Sequence, residues 1–300
     1  MLGVSTRSEA ASHRQRFTTA QPFPHVVVDD FLEPAFAQAL LDEFPAFERG
    51  NAIGDDGRPG GKSTVERIRA LGASYARLDD LVRSRAFLEA MSALTGIPDL
   101  LYDPFYLGGG THENRSGQSL DPHIDFNYHP SEGWHRRLNL IVYLNHEWDA
   151  AWGGALELFA DPYAQSGPSA AILPLFNRGV IFETSERSWH AFPTIRTPER
   201  TPRLTRRSIA LYFYTRERPA AETAGKHSTV YVDRQLPERY VAGRSLTAED
   251  VDELKALLRG RDLHLKRLYA HQARLLQAMD RGLGGRLLYL ARRAYVRMKK

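Results

Sequence analysis

The run Arg136-Arg137-Leu138-Asn139-Leu140-Ile141-Val142-Tyr143-Leu144-Asn145 is rich in strand-forming residues and closes on asparagine. Similar runs recur on both sides of it: Leu101–Leu107, Ala155–Phe159, Gly179–Phe182 and Ile209–Tyr214. Glycine, proline and asparagine punctuate the gaps between them. Several short strands broken by turn residues predict an antiparallel sandwich or barrel over residues 101–216.

Outward from that core, residues 1–21 are polar and read as a flexible arm. Residues 22–100 read as a strand and helices packed on the core. Phe23-Pro24-His25-Val26-Val27-Val28 is the strand, and Pro34 opens a helix with Phe36, Leu40, Leu41 and Phe44 on one face. A second helix is expected over 85–95, with Phe87, Leu88, Met91 and Leu94 aligned and Gly96-Ile97-Pro98 as its stop. Residues 50–63 are glycine-rich and charged, as a mobile loop would be. Residues 217–246 read as a polar loop or lid. Residues 247–300 read as a helical extension that starts at a Thr247/Asp250 capping box. Val251, Leu254, Leu258, Leu265, Leu268, Leu275 and Met279 repeat along it, with Arg261 and Gln272 breaking the seam. That interruption favours ordinary helix packing over a coiled coil. Gly282, Gly284 and Gly285 end the helix, and a last basic segment carries Arg286, Arg292, Arg293, Arg297, Lys299 and Lys300.

Composition narrows the function. An apolar share of 42% and a charged share of 25% over 300 residues are those of a globular protein. The net charge of +4 is mild and gathers near the C-terminus, so no specific nucleic acid is expected. The absence of cysteine excludes disulfide scaffolds, zinc ribbons, iron–sulfur clusters and thiol catalysis. Neither a signal peptide nor a membrane-spanning stretch is visible. A cytoplasmic location is expected, with the C-terminal helices as the candidate contact for a membrane surface or for dimerisation.

The chemistry is carried by His123-Ile124-Asp125. On a strand, residues i and i+2 share a face, so an imidazole and a carboxylate can meet one cation. His190, in Ser188-Trp189-His190-Ala191-Phe192, is the candidate third ligand. Two histidines and a carboxylate make the facial triad of non-haem iron. His-x-Asp alone is weak, since the chain has eleven histidines and His112, His129, His135 and His146 lie nearby. Arg206 and Ser208, sixteen and eighteen residues beyond His190, share a strand face and could clamp a carboxylate. A facial triad beside such a clamp suits a chelating 2-oxo acid. Zinc hydrolysis could use the same ligand types.

Taken in order, five segments resemble the catalytic domain of prolyl 4-hydroxylase-like Fe(II)/2-oxoglutarate-dependent dioxygenases. They are His123-Ile124-Asp125-Phe126-Asn127, Arg136 to Asn145, Gly153-Gly154-Ala155-Leu156, Asn177 to His190, and Arg206 to Tyr214. The resemblance implies a mainly β, α+β fold: a double-stranded β-helix, or jelly roll, with N-terminal packing helices and a C-terminal helical extension. It implies His123, Asp125 and His190 as ligands of catalytic Fe(II), with 2-oxoglutarate and O2 as cosubstrates and ascorbate as an accessory. By position, Arg206, Ser208 and Tyr143 would hold the far carboxylate of 2-oxoglutarate, with Tyr106 and Asn139 beside it. A register slip of one residue would put Arg207 in place of Arg206.

The implied reaction hydroxylates an unactivated C–H bond and releases succinate and CO2. The substrate could be a peptide or protein side chain, a small molecule or a sugar. Residues 50–65, 108–120 and 216–246 would set that choice. The alternatives are a zinc-dependent hydrolase and a non-catalytic jelly-roll binding module. Gly61-Lys62-Ser63-Thr64 looks like the end of a phosphate-binding loop, but Asp56 stands where that pattern needs glycine, and a loop near the site mouth is favoured.

Overall fold

The computed structural model describes residues 1–50, 62–165, 167–199 and 203–281. The chain divides into two units, Met1–Pro237 and Glu238–Lys300. The first unit runs α1 (Val4–Ser8), α2 (Ala10–Thr19), β1 (His25–Val28), α3 (Pro34–Asp42), β2 (Ser63–Val65), α4 (Ala73–Val82) and α5 (Arg85–Thr95). It continues through β3 (Leu101–Tyr102), β4 (Gly110–Asn114), β5 (Leu120–Ile124), β6 (His135–Tyr143), β7 (Leu156–Phe159), β8 (Ala170–Ile172), β9 (Gly179–Glu183), β10 (Trp189–Phe192), β11 (Arg206–Thr215) and β12 (Val230–Tyr231).

The strands form two antiparallel sheets. The major sheet has the order β1-β9-β6-β11-β4-β2, with β3 added beside β11, and the minor sheet has β12-β5-β10-β7-β8. Together they make the jelly roll. The period-2 alternation of β6 shows how the layers are held. Leu138, Leu140 and Val142 pack with Phe36, Leu40, Leu78, Phe87, Met91 and Leu94 of the helices. Tyr143, and Ile141 beside it, turn instead to Leu156, Leu158 and Ile172 of the minor sheet. The main core thus lies between helices and the major sheet. The space between the sheets is only partly filled with apolar groups and is free for a site.

Residues 4–19 are not the flexible arm that their polarity predicts. They form α1 and α2, and α2 packs on α5 and β1. His13 and Phe17, four apart and so on one helical face, are each 2% exposed. A two-residue stripe is too small to show in the sequence, and tertiary packing supplies what propensity lacks. Three further elements have no clear sequence signal: α4, β4 and β8. Of Leu101–Leu107 only the first two residues are strand, because Tyr106 takes a left-handed conformation with φ 51°. The expected loop at 217–246 contains β12.

In the second unit, α6 (Ala248–Arg281) begins at a reciprocal cap. Asp250 N donates to Thr247 Oγ1 at 3.2 Å, and Thr247 N donates to Asp250 Oδ2 at 3.0 Å. Leu258, Leu265 and Leu268 of the expected packing stripe are exposed. The side chains of Leu275 and Met279, the glycines and basic segment after Arg281, and residues 51–61 of the glycine-rich loop lie outside the described residues. No described helix is long and apolar enough to cross a membrane.

Candidate metal centre

β5 and β10 pair with His123 directly opposite His190. Opposed residues share a face, and the two rings sit 4.2 Å apart. Asp125 follows β5 and brings its carboxylate to the same side. The three ligand atoms lie within 4.8 Å of one another, and no second group of this kind exists among the described residues.

The surroundings prepare each ligand. His123 Nδ1 lies 2.9 Å from Asp121 O, and His190 Nδ1 lies 2.9 Å from Ser188 O. A carbonyl only accepts, so each Nδ1 carries the proton and each Nε2 presents a lone pair. Burial, helped by neighbouring His190, pushes the His123 pKa down to about 3. Burial also lowers that of His190. Both rings are therefore neutral, as metal ligands must be. Burial pushes the Asp125 carboxyl up, but Arg136, the two histidines and the Asn139 amide outweigh it and hold it well below the usual range. Asp125 Oδ2 accepts from Asn139 Nδ2 at 2.8 Å and pairs with Arg136 Nη2 at 3.1 Å.

Arg136 reaches that carboxylate because β6 bulges. Phe213 pairs with Leu138 while Tyr214 pairs with Arg136, which leaves Arg137 as the extra residue. The bulge turns Arg136 to the face of Asn139, one residue out of phase with regular alternation. The guanidinium is 1% exposed and stacks 3.6 Å from the Tyr212 ring. Its Nη2 also donates to Asn139 Oδ1 at 2.8 Å.

Arg206 and Ser208 both point inward from β11. Arg206 is 4% exposed; its Nε donates to Gly154 O at 2.6 Å and its Nη2 to Tyr143 Oη at 3.0 Å. Among the described residues no carboxylate pairs with it. A buried cation without a counter-ion is costly, so this geometry suits an incoming anion. Gly154 makes the carbonyl contact possible. Its φ is +69°, and a Cβ there would stand 2.8 Å from Trp148 Cζ2. A cavity of about 210 Å³ joins His123, Asp125 and His190 to Arg206 and Ser208.

The remaining expected residues fall in different places. Tyr143 is fully buried behind Arg206. Asn139 lines the cavity but spends its amide on Asp125. Tyr106 stands apart: its hydroxyl donates to Asp79 Oδ1 at 2.9 Å, and its ring belongs to the core under the helices. The altered backbone at Tyr106 turns it away from the cavity. Arg207 lies on the opposite face, 3.2 Å from Glu113 Oε1. Of the competing histidines, His112 lines the cavity, while His129 bonds Asp103, His135 stacks on Tyr128 and His146 bonds Gln38. Lys62, Arg136, Thr229 and Tyr231 also line it. Arg136 needed knowledge of the bulge, and Tyr231 needed the pairing of β12 with β5, which stacks its ring 5.2 Å from His123. Lys62 had a signal, in Gly61-Lys62-Ser63-Thr64, that pointed to a different chemistry.

Residues 109–214 match the 2OG-Fe(II) oxygenase superfamily. Fe(II) is the metal of that family and 2-oxoglutarate and O2 are its cosubstrates, and two neutral imidazoles, one carboxylate and a buried arginine fit them. Among solved structures, the chain is similar to a prolyl 4-hydroxylase of Phytophthora capsici at 20% identity, over 83% of this chain and 70% of that one, with a TM-score of 0.49. It is similar to a prolyl-4-hydroxylase of Pseudomonas putida at 17% identity, over 69% and 100%, with a TM-score of 0.46. It is also similar to HygX of Streptomyces hygroscopicus, solved with nickel, 2-oxoglutarate and hygromycin B, at 13% identity, over 76% and 99%, with a TM-score of 0.47. No curated protein matches the sequence.

Proposed function

We propose that this protein is an Fe(II)- and 2-oxoglutarate-dependent hydroxylase of an unactivated C–H bond in a peptide side chain, small molecule or sugar. One observation carries the reading: a neutral-imidazole and carboxylate triad shares a cavity with a buried arginine that no carboxylate among the described residues neutralises. His123, Asp125 and His190 would hold the metal, and Arg206 with Ser208 and Tyr143 would hold the far carboxylate of 2-oxoglutarate. When bound, iron and cosubstrate supply oxidative decarboxylation to succinate and CO2, with one oxygen atom of O2 passing to the substrate C–H bond.

The chain's own part is preparation. The two main-chain carbonyls fix the imidazole tautomers. Arg136 and Asn139 hold Asp125 ionised and oriented. The aromatic rings of Tyr143 and Phe192 flank Arg206 and keep water from it. A zinc hydrolase would ordinarily add a carboxylate base, and Asp125 is the sole carboxylate among the described lining residues. Anaerobic calorimetric titration of 2-oxoglutarate into the Fe(II)-loaded protein tests the assignment. Arg206→Ala should weaken binding about 10- to 100-fold, the range for a hydrogen-bonded charge, and Arg207→Ala should leave it unchanged. Equal affinities for wild type and Arg206→Ala would sink the clamp. Under air, an absence of succinate formation would sink the reaction class.

A further inference from the structure

Resting on that function, we infer that Lys62, with His112 beside it, binds a carboxylate or phosphate group of the primary substrate.

The sheet register places these residues. Arg206 pairs with Asn114 and Ser208 with His112 across β11 and β4, and Thr64 of β2 pairs with His112 on the other side. Alternation then turns Ser208, His112 and Thr64 to one face, together with Arg206, Asn114 and Lys62 one step along. Lys62 and His112 line the same cavity as the metal triad, Lys62 from just before β2, the last strand in the order of the major sheet, and His112 from β4. The cosubstrate clamp belongs to β11, two strands inward. Lys62 is therefore set apart, by two strands, from the arginine reserved for the cosubstrate.

Charge gives the second argument. Lys62, Arg136 and Arg206 line the cavity against one carboxylate, Asp125. A divalent metal and a dicarboxylate cancel each other, so loading the site leaves that excess in place. Arg136 is satisfied by Asp125. Arg206 is reserved for the cosubstrate. Lys62 remains, and among the described residues no carboxylate pairs with it. Its Nζ lies 3.4 Å from His112 Nε2, but that nitrogen lies 3.0 Å from Gly108 O and so carries the ring proton; two donors face each other and neither satisfies the other. Nearby Glu66 is engaged elsewhere, accepting from Gly108 N at 2.7 Å. Burial, with Arg136 and Arg206 nearby, pushes the ammonium pKa down to about 8, against the pull of Asp125 and Glu66. An anionic group on the substrate would relieve that penalty and fix the rest of the molecule relative to the metal.

The test uses the full chain loaded with Zn(II), which does not turn over, and saturated with 2-oxoglutarate. Acetate and methyl phosphate are titrated separately by calorimetry, so the two arms tell a carboxylate site from a phosphate site. One probe should bind the wild type in a salt-sensitive manner, about tenfold or more weaker in Lys62→Gln, and about as in wild type in Lys62→Arg. The 2-oxoglutarate affinity of Lys62→Gln should stay within about twofold of wild type. Binding of neither probe to the wild type, or equal binding to Lys62→Gln, overturns the proposal. A matching loss of 2-oxoglutarate affinity in Lys62→Gln also overturns it, by giving Lys62 to the cosubstrate. Failure of wild type to bind 2-oxoglutarate would strike instead at the proposed function, and the same probe titrations on the Zn(II)-loaded protein would still read Lys62.

Discussion

Asp125 keeps its charge with little water around it because Arg136 and Asn139 take one of its oxygens. His123 has the opposite problem and solves it by staying neutral. The unfolded chain protonates a histidine near pH 6.5, whereas folded His123 does so only near about 3. Between those values the unfolded state binds more protons. Stability of the metal-free protein therefore falls as pH drops through that window, by about 1.4 kcal/mol per pH unit for one such histidine. His123→Gln removes that dependence. In urea unfolding, the stability advantage of wild type over the variant should shrink steadily from pH 6.5 to pH 4. An advantage that does not change with pH would mean that His123 is not held neutral. At this scale the sequence was informative where chemistry imposes spacing: i, i+2 alternation put His123 beside Asp125 and Arg206 beside Ser208, and all four line one cavity. Arg136 was not legible as a site residue, since regular alternation would turn it from Asn139 and only the bulge brings it back.

Elements were legible where their apolar pattern was continuous. Residues 85–95 show a full helical stripe with Gly96 at the stop, and α5 has those bounds, with Ser84 capping its start in the structure. β4 is Gly-Thr-His-Glu-Asn, fully buried yet without a strand signature, because its polar groups serve the cavity and neighbouring strands. α2 was hidden for another reason, namely that only His13 and Phe17 of its ten residues are buried. Phe17 is 2% exposed and belongs to the main core. Phe17→Ala should cost about 3–5 kcal/mol, as for other buried aromatics, with a matching fall in the urea midpoint. A loss below about 0.5 kcal/mol, the level of a surface change, would restore the flexible-arm reading of residues 1–21.

At the level of the whole molecule, the strand pattern alone predicted a sandwich or barrel and the resemblance of five segments in order implied the jelly roll; in the structure a strand of one sheet is repeatedly followed by a strand of the other. β5 and β10 bring the candidate metal ligands from the minor sheet, while β6, β11 and β4 bring the groups that orient Asp125 and line the same cavity. Neither sheet alone contains the site. The boundary between units, at Pro237 and Glu238, falls inside the stretch expected as one lid, because β12 fastens residues before it to β5 beside His123. A two-residue strand leaves no periodicity to find. The central claim, that one cavity joins an iron triad to a 2-oxo acid clamp, is most directly tested by anaerobic titration of the metal-free protein with Fe(II) and then 2-oxoglutarate. The account predicts a weak visible charge-transfer band on adding 2-oxoglutarate to the wild type, and none with His190→Ala. Fe(II) binding with no band in the wild type would contradict it.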